Sequence, residues 1–333
     1  MANEKMEKTS RSGGGTFIVL LCIILIAAGA ALLYMDLSRD YRHGVYRCEN
    51  GRMMEEPAEP DLNKTQNAAH FMQLLSDRHP GVQQYMMLVP TAACIQSGYL
   101  PKDVSVRDQK SDLAEIRRKM PSSLHWIDLT EVLSDHAGEK LYYASDTFLT
   151  GWGSRYAAKT AITEMGMNIP DGKDTCYLLS DSFEGRLAKD KMPSLELFKK
   201  SKGERMEIYV PEDEASYYRV DESTGGWSGS LYDSGAANSS NPYNVFFGGE
   251  RPLTEIHTTA INGENLLVIG DRTADSIVPL FVSSFENIVL VHPSKCAKKI
   301  DKLIEKYNIT KILYLYGANE YMTDLSLLRT IMQ

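Results

Sequence analysis

Closely spaced thiolates or imidazoles, which a tetrahedral zinc site needs, are missing from this chain. Its five cysteines include no CxxC pair and its seven histidines no HExxH, so neither a metal nor a cofactor is expected. No long Lys/Arg-dense stripe offsets the formal charge of -8, which excludes nucleic acid as a partner. No internal repeat is present, which excludes solenoid folds. Cysteine is too sparse for a disulfide scaffold. Cys22 lies in an apolar run, and Cys48, Cys94, Cys176 and Cys296 leave three pairings open beside the alternative of free thiols.

What is present is the composition of a folded protein: 43% hydrophobic and 24% charged over 333 residues, enough for one large domain or a core with an insertion. One long apolar run stands out. Phe17 to Met35, FIVLLCIILIAAGAALLYM, carries no charge and would reach roughly 28 Å as a helix. It is longer than the usual apolar core of a signal peptide, so an uncleaved anchor is expected, although the AAGAA stretch offers small residues for cleavage. Lys5, Lys8 and Arg11 before it and Arg39 and Arg42 after it barely set an orientation. The expected organisation is a cytoplasmic tail at 1–16, a transmembrane helix at 17–35, a polar spacer at 36–64 and a folded domain at 65–333. That arrangement implies a single-pass protein of the plasma membrane, in contact with lipid, with its large domain outside the cytoplasm.

Within the domain, YMMLV before Pro90 reads as a buried strand, and Asp108 to Lys119 as a solvated helix. Leu124 to Leu129 and Leu141 to Ala144 are candidate strands, and Gly153 to Met165 a helix. From about 171 to 258 the texture changes to Gly, Ser and Asn with short runs such as MEIYV, an irregular strand-rich insertion. The last third alternates ENLLVIG, a helical stretch Thr273 to Phe285, ENIVLV, a helical CAKKIDKLIEKYN, and TKILYLYG. Strands and helices alternating at these lengths predict an α/β fold with a parallel sheet covered on both faces.

In such sheets the chemistry lies beyond the carboxyl ends of the strands. Asp271 follows one of them, either as a cap for the next helix or as a site residue. Arg272 is permanently protonated and cannot attack a carbonyl. Its alternatives are an ion pair with Asp271 or Asp146, or a fork for a bound carboxylate or phosphate. Asp275 and Ser276 lie one turn on. At the second junction, YYASDTFLTGWG, Asp146 has the place of a residue that orients an imidazole, yet Thr147, Phe148 and Leu149 follow it. His257 is the base to pair with a displaced hydroxyl, Ser276 or Ser145. Trp126 reads as core. Trp152 and Trp227, in glycine-flanked loops, either stack on a sugar or plug the loop.

These two junctions resemble the DHHW family, bacterial relatives of the SGNH-hydrolase-like polysaccharide O-acetyltransferases. Family members show Asp-His-His-Trp-Thr after a tyrosine-rich strand. Here YYASDTFLTGWGSRYAA keeps Asp146 and Thr150 but has Thr147, Phe148 and Leu149 between them. The later family block resembles LLxIKDSYANSxVPFL. Here LLVIGDRTADSIVPLF keeps Asp271, Ala274, Val278 and Pro279 and carries Arg272 where the serine belongs. MMLVPTAACI, FEGRLA, VFFGGE and VLVHP echo the family in order. The resemblance implies a three-layer SGNH-hydrolase-like fold with a mostly parallel sheet, and a remnant site of Asp146, Asp271 and Arg272.

With nucleophile and imidazole both replaced, the expected function is a non-catalytic, membrane-anchored domain. It would bind a glycan or an envelope-biosynthesis protein through Asp146, Thr147, Trp152, Arg272 and Trp227. The alternatives are an O-acetyltransferase or carbohydrate esterase with displaced residues, and a purely structural domain.

Overall fold

The computed structural model describes residues 13–37, 41–48, 50–169, 173–191, 203–212, 216–221, 225–296 and 298–332. Helix α1 spans Gly13–Leu37, and its side chains are described from Phe17 to Leu32. Among the described residues no helix is long and apolar enough to cross a membrane. The expected anchor at 17–35 is therefore corrected, and with it the single-pass topology, the plasma-membrane location and the lipid contact. Lys5, Lys8, Arg11 and Arg39, which bore on orientation, lie outside the described residues.

The stretch read as a spacer is partly folded. Short strands at Tyr41–Arg42, Val45–Arg47 and Met53–Glu55 form a small antiparallel sheet, and Val45, Tyr46, Cys48 and Met54 are buried.

The main sheet has, among the described residues, eight strands: β1 Gln83–Val89, β2 Leu124–Ile127, β3 Tyr217–Asp221, β4 Gly226–Ser228, β5 Leu253–Thr258, β6 Asn265–Gly270, β7 Asn287–Val291 and β8 Lys311–Gly317. Their spatial order is β2-β1-β8-β6-β7-β5-β3-β4. The first five run parallel, whereas β5, β3 and β4 join antiparallel. The sheet is thus mixed, a correction to the mostly parallel expectation. A parallel crossover needs a dozen or more residues, and the link from Thr258 to Asn265 is too short to supply one. The supposed insertion therefore divides. Asp174–Phe183 and Glu204–Pro211 pair apart from the main sheet, while the chain from Tyr217 onward extends it.

Alternate residues of the strands feed two cores, as the two-residue period requires. On one face Met87, Val89, Leu266, Val268, Leu313 and Leu315 pack with Ala157, Ala158 and Ala161. On the other, Met86, Leu88, Leu267, Ile269, Ile312 and Tyr314 pack with Met72, Leu113 and Leu303. These side chains come from helices α2 Leu62–Arg78, α3 Gln109–Lys119, α4 Gly151–Glu164 and α5 Ile300–Tyr307, so the sheet is the middle of three layers. Asp61 caps α2 by accepting from the amides of Asn63 and Lys64, and Thr150 caps α4 through Gly153 N. No disulfide joins any of the cysteines.

Two expected elements differ. Leu141 to Ala144 makes only a single bridge, Tyr142 to Leu149, because its backbone is used locally: Thr150 N donates to Leu141 O and Tyr143 N to Phe148 O. The helix expected over Thr273 to Phe285 is two short 3-10 turns, Arg272–Ser276 and Val278–Phe281. Pro279 lacks the amide that a continuous α-helix needs there.

Candidate functional site

The carboxyl ends of β1, β6 and β8 open on a crevice of about 740 Å³ to which Val89, Asp271 and Gly317 contribute. Glycine lets two of these strands approach closely. A Cβ on Gly270 would lie 2.3 Å from Leu315 O, so β6 and β8 meet at a distance that only glycine allows. Asp271 begins the turn after β6 in extended geometry. Its Oδ1 accepts from Thr273 N at 3.0 Å and its Oδ2 from Thr273 Oγ1 at 3.1 Å. Gly317 N donates to the same carboxylate at 3.2 Å and 3.3 Å. Asp271 is therefore a cap and a crevice residue at once. Burial, and next the charge of Glu320, push its pKa up to about 7 against the pull of those donors. Burial also raises Glu320, which lines the same crevice.

Arg272 pairs with neither Asp271 nor Asp146. Its Nε lies 3.2 Å from Asp275 Oδ2, and its guanidinium carbon 5.2 Å from the ring centre of Tyr243. The other oxygen of Asp275 is 2.9 Å from His292 Nε2, and His292 Nδ1 is 2.7 Å from the carbonyl oxygen of Arg251. Burial disfavours a charged His292, but the charge and hydrogen bond of Asp275, with the Arg251 carbonyl, outweigh it and raise the pKa. Both ring nitrogens are committed to these oxygens, so His292 has no lone pair to offer a hydroxyl.

At the second junction Asp146 is buried and orients no imidazole. Its Oδ1 accepts from Thr147 N at 2.7 Å and its Oδ2 from Arg186 N at 2.8 Å, and the Arg186 guanidinium stands 3.7 Å away. Gly185 permits this approach: a Cβ there would lie 2.5 Å from Asp146 Cβ. Arg186 also donates to Thr147 Oγ1 at 3.0 Å. Phe148, where the family has an imidazole, stacks on Tyr243 with ring centres 4.0 Å apart and planes 18° apart. The Arg186 guanidinium carbon is 5.1 Å from the Phe148 ring centre. Arg186, Phe148, Tyr243 and Arg272 thus form a continuous cation–ring–ring–cation series. All four line a second cavity of about 290 Å³, and Phe148 and Arg186 also border the larger crevice.

The other expected residues lie elsewhere. Ser276 Oγ accepts from Ser154 Oγ at 2.9 Å and reaches Thr273 O at 3.5 Å. Ser145 Oγ donates to Glu204 Oε1 at 2.5 Å and accepts from Gly185 N at 2.9 Å. Neither serine engages an imidazole. His257 sits opposite Asn287, the first residue of β7, and bonds its Oδ1 at 2.7 Å. That is the amino edge of the parallel strands, away from the crevice. Trp152 donates to Glu139 and borders a separate cavity of about 330 Å³ with Arg155 and Tyr156. Trp227, on edge strand β4, is 79% exposed. Trp126 is half-buried in β2.

Tyr243, Arg186, His292 and Glu320 were not singled out by sequence reasoning. His292 had the same signal as Asp271, a polar residue directly after an apolar strand. Arg186 stood in the FEGRLA echo. Tyr243 follows Pro242 in a stretch with no periodic pattern to mark it.

The model of a family described as an SGNH hydrolase-like domain, acetyltransferase AlgX, matches residues 47–180. That range includes the Asp146 junction and ends before Asp271. A DHHW family protein from Eubacterium siraeum superposes with a TM-score of 0.72 at 19% identity, over 86% of this chain and 93% of its own. Bacillus cereus PatB1 superposes with a TM-score of 0.69 at 19% identity, over 86% of this chain and 99% of its own. Its form with a sulfonyl adduct has the same TM-score at 18% identity, over 86% of this chain and 97% of its own. No curated protein matches by sequence. The chain resembles a DHHW family protein and SGNH hydrolase-like domains, and the structural likenesses establish its fold.

Proposed function

We propose that this chain is a non-catalytic SGNH-like domain that binds a saccharide at the carboxyl edge of its sheet. One observation carries the first half of the reading. The position after Asp271 holds a guanidinium stacked on Tyr243, and a phenyl ring fills the position expected for an imidazole. Acyl transfer through a covalent intermediate needs a hydroxyl deprotonated by an adjacent base. Here Ser276 and Ser145 have other partners, and both ring nitrogens of His292 are taken by Asp275 and a carbonyl.

The second half rests on the crevice itself and on the polysaccharide O-acetyltransferases that the two junctions resemble. The walls offer Thr91, Thr147, Thr273, Asn319 and Thr323 among carboxylates and guanidinium groups. That lining suits a ligand rich in hydroxyls, and the volume lies in the range of small-ligand sites.

A sulfonyl adduct is a sulfonyl group on a nucleophilic atom, so sulfonylation tests the reading directly. Treatment of the full chain with phenylmethylsulfonyl fluoride, followed by peptide mass spectrometry, is expected to leave every crevice hydroxyl unmodified. Isothermal titration with neutral and acidic oligosaccharides is expected to show binding without release of product. Stoichiometric sulfonylation of a crevice serine would overturn the non-catalytic assignment, and failure of every saccharide to bind would overturn the ligand class.

A further inference from the structure

The charges around the lost nucleophile position do not cancel. His292 Nδ1 faces the Arg251 carbonyl oxygen at 2.7 Å, which only accepts, so Nδ1 carries a proton. Between His292 Nε2 and Asp275 Oδ1, 2.9 Å apart, lies one more proton. Whichever atom holds it, His292 and Asp275 together are neutral. Arg272 remains protonated and leaves the trio with one net positive charge. Asp275 is 0% exposed, His292 2% and Arg272 20%, so water screens this charge poorly.

Two nearby carboxylates already have cations of their own: Glu250, the next acid toward His292, is held by Lys295 at 3.0 Å, and Asp146 by Arg186. Glu184 is the further carboxylate of the adjoining cavity. The Tyr243 ring gives a quadrupole but no charge. Arg272 Nη2 is buried and has no hydrogen-bond partner among the described residues, a state that costs free energy until an acceptor arrives. The adjoining cavity of about 290 Å³ brings Arg186, Lys189 and Arg272 together against Asp146 and Glu184, with Ser240 and Asn241 on its rim.

We propose that this cavity is an anion subsite for a carboxylate or phosphate borne by the saccharide, with Arg272 as its principal ligand. The inference rests on the saccharide reading above and specifies its substrate class as an acidic sugar. A glycan carboxylate and a sugar phosphate present the same oxyanion chemistry to a guanidinium. The stacked series holds Arg272 and Arg186 in place before the ligand enters, which lowers the cost of ordering them.

The test is isothermal titration of the full chain at pH 7 and low salt with trigalacturonate, its fully methylated ester, and inorganic phosphate. Trigalacturonate is expected to bind at least about tenfold more tightly than the ester. Arg272→Gln is expected to weaken it about 10- to 100-fold, the worth of one charge-assisted hydrogen bond, and Arg272→Lys to restore part of that loss. Arg186→Gln, at a more exposed position, is expected to weaken it several-fold. The comparison of acid with ester needs no variant, so it decides the matter even where Arg272→Gln fails to fold. Equal binding of acid and ester overturns the anion subsite and leaves the saccharide reading standing. Arg272-dependent binding of phosphate with neither trisaccharide bound supports the subsite and overturns the saccharide reading. Binding of none of the three probes overturns both.

Discussion

The carboxyl of Asp271 makes a quantitative prediction about stability. Its pKa rises from an ordinary 3.8 to about 7 in the folded chain, because burial penalises the charged form and Glu320 adds like charge. A folded pKa above the unfolded one means that, between roughly pH 4 and 7, the native state keeps a proton that the unfolded chain has released. Stability then falls as pH rises through this window, by at most about 1.4 kcal/mol per unit, and levels off above it. Integrated from pH 5 to pH 8, the loss is about 2.5 kcal/mol. His292 and Glu320, both raised, act in the same direction, so the quantity to measure is the difference between the native chain and Asp271→Asn. The Asn variant places an amide where Gly317 N now donates, which adds a constant offset but no slope. Urea unfolding followed by tryptophan fluorescence at intervals from pH 5 to 8 gives both curves. The native chain is expected to lose about 2.5 kcal/mol relative to Asp271→Asn across that range. A difference independent of pH, or one that favours the native chain as pH rises, would refute the argument.

Three further outcomes are expected. Gly270→Ala drives a methyl to 2.3 Å from Leu315 O and 3.0 Å from Ala274 Cβ, and should cost about 1–3 kcal/mol in urea unfolding. Phe148→Ala removes a buried ring stacked on Tyr243 and should cost about 3–5 kcal/mol, measured in the same way. His292→Ala leaves Asp275 paired with Arg272 but takes the donor from Asp275 Oδ1 and from the Arg251 carbonyl oxygen, and should cost about 1–3 kcal/mol. A loss below about 1 kcal/mol would show that the trio relaxes freely.

The central parallel strands were legible because each is a nearly unbroken apolar run: LLVI in β6, IVLV in β7 and ILYLY in β8. A strand buried on both faces leaves that mark whatever the rest of the chain does. The strand-end rule then located Asp271 and Arg272, and Asp146 at the neighbouring junction. It could not say what Arg272 would touch. Asp275 is three residues on, but Tyr243 comes from a Gly/Ser/Asn-rich segment and His292 from the end of the next strand. Trp152 and His257 were placed near the site on local context alone, and the fold carries them to a different cavity and to the opposite edge of the sheet.

By itself, then, the sequence determined which segments are buried and that no nucleophile follows Asp271, since periodicity and residue chemistry are local properties. Tertiary structure alone decided that the sheet is mixed, that Phe148 stacks on Tyr243 across 95 positions of chain, and that Arg272 shares its carboxylate with His292. Those pairings depend on which strand ends come to lie side by side, and no local pattern of apolar and polar residues encodes that.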